Sequence, residues 1–134
     1  MNSLFLIDTS VWIFALRKKY IPEIKSRVEK LLGEGKVVIN PIIKLELLAG
    51  TKTKKEFSHL KLRLDALPEI AISQEIWEET QKIAFELRRN GLDLPLIDTI
   101  ILSCAKFSNS TIVHGDRHFE LAGKFLDVKL ESFL

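Results

Sequence analysis

Residues 4–16 read LFLIDTSVWIFAL. An apolar run suited to a buried strand ends in a carboxylate, Asp8, followed by two hydroxyls and a second apolar run. A charge at the end of a buried strand has to be matched by a partner. Working outward, Val37–Ile39, Ile70–Ile72, Thr111–Val113 and Val128–Leu130 read in the same way as Leu4–Ile7. These short runs are apolar rather than alternating, the pattern of strands covered on both faces of a parallel sheet.

The segments between them have helical spacing. Ile24, Val28, Leu31 and Leu32 keep one face apolar after Pro22, and Gly33 and Gly35 can end that helix. Asn40 before Pro41 is an N-cap candidate, so IIKLELLA (42–49) is expected to be a short helix stopped at Gly50. Thr53 with Glu56 forms a capping box for a helix carrying Phe57, Leu60 and Leu64 on one side. Ser73 can cap a helix that runs to Arg88-Arg89 and stops at Asn90-Gly91. A last long helix begins at Pro95, holds Asp98 in its opening turn and is expected to send Ile97, Ile100, Ile101 and Cys104 inward. Alternating strands and helices with short loops predict a three-layer α/β/α domain with a central, mostly parallel sheet.

Composition agrees with one such unit. The chain has 134 residues, 46% hydrophobic and 28% charged, enough for a single core spanning 1–134 and unlike a disordered segment. A formal charge of +2 excludes a histone-like basic excess but permits a local basic surface. The single cysteine, Cys104, lies in the apolar stretch TIILSCA, so neither an internal disulfide nor a thiolate metal cage can form. Nothing approaches the roughly 18 uninterrupted apolar residues of a membrane span, and a cytoplasmic location is expected.

Four acids interrupt core-like contexts: Asp8 after LFLI, Glu46 within KLELLAG, Asp98 within PLIDTII and Asp116 after TIVHG. Taken singly, Asp8 and Asp116 can begin Asx turns or cap helices, and Asp98 can complement a helix dipole. Glu46 is either on the one exposed stripe of its helix or paired in the interior. Asp8 and Asp116 also both follow the carboxyl ends of predicted strands, the edge where open parallel sheets bind ligands. Were the four to meet, like charges at about 4 Å would repel by about 4 kcal/mol per pair at an effective dielectric of 20. A divalent cation removes that conflict, and an oxygen-only set suits Mg²⁺ or Mn²⁺, ions that commonly bridge to a phosphate.

Together LIDTSVWI (6–13), LELLAG (45–50), LPLIDTIILSCA (94–105) and VHGDRHFE (113–120) resemble the successive acidic motifs of the PIN-domain ribonucleases. Their order and the chain length are similar to those of the VapC toxins of type II toxin–antitoxin modules, and the resemblance spans essentially the whole chain. It implies a divalent-metal-dependent endoribonuclease that cuts a structured RNA such as transfer or ribosomal RNA. It also implies a homodimer silenced by a small cognate antitoxin. By matched motif, Asp8, Glu46, Asp98 and Asp116 are the catalytic acids, Asp8, Asp98 and Asp116 the metal ligands, and Ser10 the hydroxyl that helps hold the metal shell. Glu46 either completes that shell or orients the attacking water. VHGDRHF departs from the family pattern, with Val-His where many relatives carry Thr and His118 where some carry another Asp.

An acidic pocket repels RNA, so basic residues are needed to bring the backbone in. Lys52, Lys54, Lys55 and Arg117 are the candidates, with Arg17-Lys18-Lys19 and Arg88-Arg89 behind them. Charge runs at helix ends equally serve solubility and the dipole. Trp12 and Phe14 can stack on a base, or belong to the core or a dimer interface. His59, His114 and His118 show no ligand spacing and are only weak candidates. Four other readings compete. An aspartyl phosphatase needs a second Asp where Ser10 stands, and a receiver-type signalling domain needs an N-terminal acid pair that is missing. A non-catalytic RNA- or protein-binding module predicts tolerance of Asp8→Asn. A housekeeping RNA-processing nuclease shares the chemistry without the antitoxin.

Overall fold

Strands that are apolar at every position have two faces to bury, and this chain buries both by pairing them in parallel beneath helices. The computed structural model describes residues 3–16 and 21–134. In chain order the elements are β1 (Phe5–Ile7), α1 (Thr9–Leu16), α2 (Pro22–Gly33), β2 (Val37–Val38), α3 (Pro41–Ala49) and α4 (Lys54–Asp65). They continue with α5 (Gln74–Arg89), α6 (Leu96–Ser108), β3 (Thr111–His114), α7 (Arg117–Ala122) and β4 (Lys129–Ser132). The sheet is four-stranded, in the order β2-β1-β3-β4, with every pair parallel. Leu6 and Ile7, Val37 and Val38, and Ile112 and Val113 are all buried. Successive strand residues face opposite sides, so both sheet faces are covered at β1, β2 and β3, while the edge strand β4 is half-buried to exposed, and the domain has the expected three layers.

That strand order positions the site. After β1 the chain adds β2 on one side and then crosses to add β3 on the other. The turns leaving the carboxyl ends of β1 and β3 therefore part company there, at the topological switch point where parallel sheets open a crevice. Ile7 is in register with Val113, which puts Asp8 and the His114-Gly115-Asp116 turn at the same edge.

Local chemistry accounts for most boundaries. The Asn40 side chain accepts the Ile43 N–H at 2.8 Å, Thr53 Oγ1 accepts that of Glu56 at 3.1 Å, and Ser73 Oγ accepts that of Ile76 at 3.3 Å, as N-caps should. Glu56 answers by accepting the Lys52 N–H at 2.9 Å, one residue before the position a capping box uses. Cys104 is buried, as expected, and receives the Asn40 Nδ2 at 3.6 Å. Residues Thr99 to Ala105 of α6 are all buried, so this helix is covered all round rather than along one stripe.

Three expectations are corrected. Ile70–Ile72 is not a strand, because β2 leaves it almost no backbone to pair with. Asn40-Pro41 turns the chain into α3 immediately after Ile39, and a single bridge, Ile39 with Glu69, remains. Ile97 faces solvent, since the buried arc of α6 starts two residues later. Phe57 is also exposed, and only Leu64 of its predicted stripe is fully buried. One tie was not foreseen: the Arg27 guanidinium on α2 makes paired 2.9 Å hydrogen bonds to Glu131 on β4 and lies 5.3 Å from the Phe5 ring centroid. Among the described residues no helix is long and apolar enough to cross a membrane.

Asn40 is fully buried and joins β2, α3 and α6. Replacing it with Ala removes the cap and leaves the Ile43 N–H without its acceptor. Asn40→Ala is expected to lose about 2 kcal/mol, read as a lower midpoint with unchanged slope in urea unfolding.

Candidate metal centre

Each acid at the switch point is held by the turn that delivers it. The Asp8 N–H donates to Val113 O on β3 at 2.9 Å. The Asp8 carbonyl accepts the Val11 and Trp12 N–H groups at 3.0 and 3.1 Å, which starts α1. Its carboxylate, 5% exposed, accepts both the Ser10 N–H at 3.2 Å and the Ser10 hydroxyl at 2.6 Å. Ser10 Oγ in turn accepts the Gly115 N–H at 3.2 Å. One hydroxyl thus clamps the β1 turn to the β3 turn, with its single proton directed at Asp8.

Asp116 caps α7, accepting the His118 N–H at Oδ1 (2.9 Å), while its own N–H donates to His114 Nδ1 at 3.1 Å. Asp98 comes in from the first turn of α6, half-buried. Its Oδ2 lies 2.9 Å from His118 Nδ1, and the same nitrogen is 3.3 Å from Asp116 Oδ1. In the tautomer that carries its proton on Nδ1, the ring donates toward both carboxylates. One donor atom from each of Asp98, Asp116 and His118 fits within a span of 4.8 Å.

The electrostatics tie Asp8 to this group. Burial, and then the Asp116 charge, push the Asp98 carboxyl from 3.8 up to about 6; the His118 hydrogen bond pulls the other way and Asp8 adds to the rise. Burial also raises Asp8, against its hydrogen bonds to Ser10, with a further push from Asp116. Asp8 and Asp98, both raised by burial and by the Asp116 charge, together with Asp116 itself, are a donor set that a divalent cation fits.

Not every sequence candidate joins the cluster. Glu46 lies on the exposed side of α3, where its Oε1 accepts the Thr9 hydroxyl at 2.8 Å; it reaches the residue beside Asp8 rather than the three clustered donors. Lys52, Lys54 and Lys55 are exposed between α3 and the first turn of α4, and Arg117 is exposed at the start of α7. Arg88 is paired with Asp93 at 3.1 Å and Arg89 lies over Phe85 at 5.5 Å. The Arg17-Lys18-Lys19 run lies outside the described residues. Trp12 is buried and Phe14 partly exposed.

Of the three histidines, weak candidates by their spacing, His118 is the one whose ring nitrogen lies with Asp98 and Asp116. Ligand spacing along the chain was the wrong test, because its partner Asp98 is 20 residues away. The usable signal was Asp-x-His at a helix start: an Asp cap folds the residue two positions on back toward its own carboxylate.

Residues 5–124 match the family described as PIN domain. Ribonuclease VapC18 of Mycobacterium tuberculosis is 26% identical over 120 residues, covering 87% of this chain and 85% of that protein. Among solved structures, DNA-bound VapBC from Salmonella typhimurium superposes with a TM-score of 0.80 at 22% identity over 100% of both chains. VapBC2 from Rickettsia felis, bound to a fragment of its promoter DNA, gives 0.79 at 22% identity over 98% of this chain and 99% of that one.

With Asp98 at about 6 folded and 3.8 unfolded, the folded chain keeps between those values a proton that the unfolded chain has released. Its contribution to metal-free stability therefore falls as pH rises from about 4 to about 6 and then levels. Asp98→Asn is expected to melt higher than the parent by roughly 3–6 °C at pH 7.5 without metal, with the gap closing near pH 4 in circular-dichroism melts.

Proposed function

The chain belongs to the PIN-domain family, and on that premise we propose that it is a divalent-metal-dependent endoribonuclease of the VapC type. The observation that carries the reading is the convergence of donor atoms of Asp98, Asp116 and His118 within 4.8 Å, next to a β3 turn that Ser10 ties to Asp8. Asp8, Asp98 and Asp116 are the residues that would hold Mg²⁺ or Mn²⁺, and Ser10 fixes the direction of the Asp8 carboxylate. When bound, such an ion supplies a lowered water pKa and neutralises charge on a scissile phosphate.

The protein's own part is position and field. Burial of Asp8 and partial burial of Asp98 keep both carboxylates short of solvation, so that they favour a cation over water. Glu46, oriented by Thr9 at the rim, either adds a ligand or receives a proton from the attacking water. Lys52, Lys54, Lys55 and Arg117 stand on exposed surface as contacts for the RNA backbone, which position a strand without reading its sequence. The same reading takes residues 1–134 as one PIN-like domain that works in the cytoplasm as a homodimer. Its substrate is structured RNA, transfer or ribosomal RNA among the candidates, and a small cognate antitoxin silences it. Support for that last point is the likeness in fold to the VapBC complexes.

Purified protein incubated with total RNA is expected to cleave it in Mg²⁺ or Mn²⁺, to stop in chelator, and to lose at least about 100-fold in rate as Asp98→Asn or Asp8→Asn. Cleavage that survives chelator or either substitution would refute the metal mechanism.

A further inference from the structure

His118 is the side chain that touches two of the clustered acids, and it contributes nitrogen where the other donors contribute oxygen. Its backbone N–H is fixed on Asp116 Oδ1 at 2.9 Å, so the ring leaves α7 from a determined point and reaches Asp98 Oδ2 at 2.9 Å. The three donor atoms span no more than 4.8 Å. Ligands about 2.0–2.3 Å from one first-row ion lie at most about 4.6 Å apart, and His118 Nδ1 is within that reach of Asp98 Oδ2 at 2.9 Å and of Asp116 Oδ1 at 3.3 Å. A simple counter-charge role would be served better by lysine or arginine, which offer donors and no lone pair. Imidazole can act as either.

We infer that His118 is a nitrogen ligand of this site and biases it toward Mn²⁺ and the later first-row ions over Mg²⁺. The inference rests on the acid cluster being the metal centre. Mg²⁺ is hard, holds its waters and takes oxygen ligands. Imidazole nitrogen raises affinity along the series from Mn²⁺ toward Co²⁺ and Zn²⁺. A neutral ring standing where a further carboxylate could stand also removes one negative charge, which weakens the hold on a hard cation most. Ligation through Nδ1 moves the ring proton to Nε2 or releases it to solvent.

The test uses the full chain stripped of metal, titrated with Mn²⁺ and with Mg²⁺ as competitor, free Mn²⁺ being read by its paramagnetic resonance signal. Pulsed resonance on the bound ion reads nitrogen coupling. The wild type is expected to show ¹⁴N modulation. His118→Asn should lose it, with the Mn²⁺ over Mg²⁺ preference falling by about ten-fold. His118→Asp, which makes the set all oxygen, should move the preference toward Mg²⁺, and Asp98→Asn should weaken both ions. If the wild type binds Mn²⁺ and Asp98→Asn does not, yet no nitrogen coupling is seen and His118→Asn keeps the same preference, His118 is no ligand and the metal centre stands. If the wild type binds neither ion, both proposals fall.

Discussion

The Asp8 N–H donating to Val113 O at 2.9 Å closes the last rung between β1 and β3, and the geometry of the site follows from it. One such bond contributes only about 1 kcal/mol net, but it lies in register with the Phe5, Leu6 and Ile7 pairings and over a core that buries both faces. Slipping the register by one residue would turn every β1 side chain to the other face. The rung therefore cannot move without the core moving, and Asp8 is held beside the β3 turn by the burial of Leu6 and Ile7. Ser10 Oγ, between Asp8 and Gly115, fastens the same junction from the side-chain end.

Holding carboxylates together is costly. At an effective dielectric of 20, two charges about 4 Å apart repel by about 4 kcal/mol, comparable to a large share of a small domain's net stability. The opposing contribution comes from elsewhere in the fold, chiefly α6, which carries Asp98 at its start and buries Thr99 through Ala105 directly behind it. The helix is pressed into the core along the turns that follow the acid, so Asp98 cannot retreat to solvent. Stability stored in apolar packing thus maintains an electrostatic arrangement that the same residues, left to themselves, would not adopt.

Helix caps and clustered acids are often treated as alternatives, and in this fold the same residues take part in both. Asp8 opens α1 while facing the acid cluster, and Asp116 opens α7 while contacting His118. An Asx turn fixes the carboxylate's direction at the moment the chain leaves the sheet, which is what a preorganised ligand requires.

Much of this was legible in residues taken locally. Asn40, Thr53 and Ser73 cap because a short polar side chain before an apolar run can reach a free N–H two or three residues on. Four of the five apolar runs became strands, and the acids after the first and third of these strands along the sheet's switch edge lie where parallel sheets bind ligands. Such features depend on neighbours a few residues away, so the amino-acid order alone determined them. Tertiary structure decided what those neighbours could not: that β2 would end too soon for Ile70–Ile72 to pair, that Ile97 would point outward, and that the strands would run β2-β1-β3-β4. It also decided that His118 would meet Asp98, and Ser10 meet Gly115 across 105 positions. Contacts at that separation are set by which packing buries the most apolar surface over the whole chain, a property that no single stretch of residues carries.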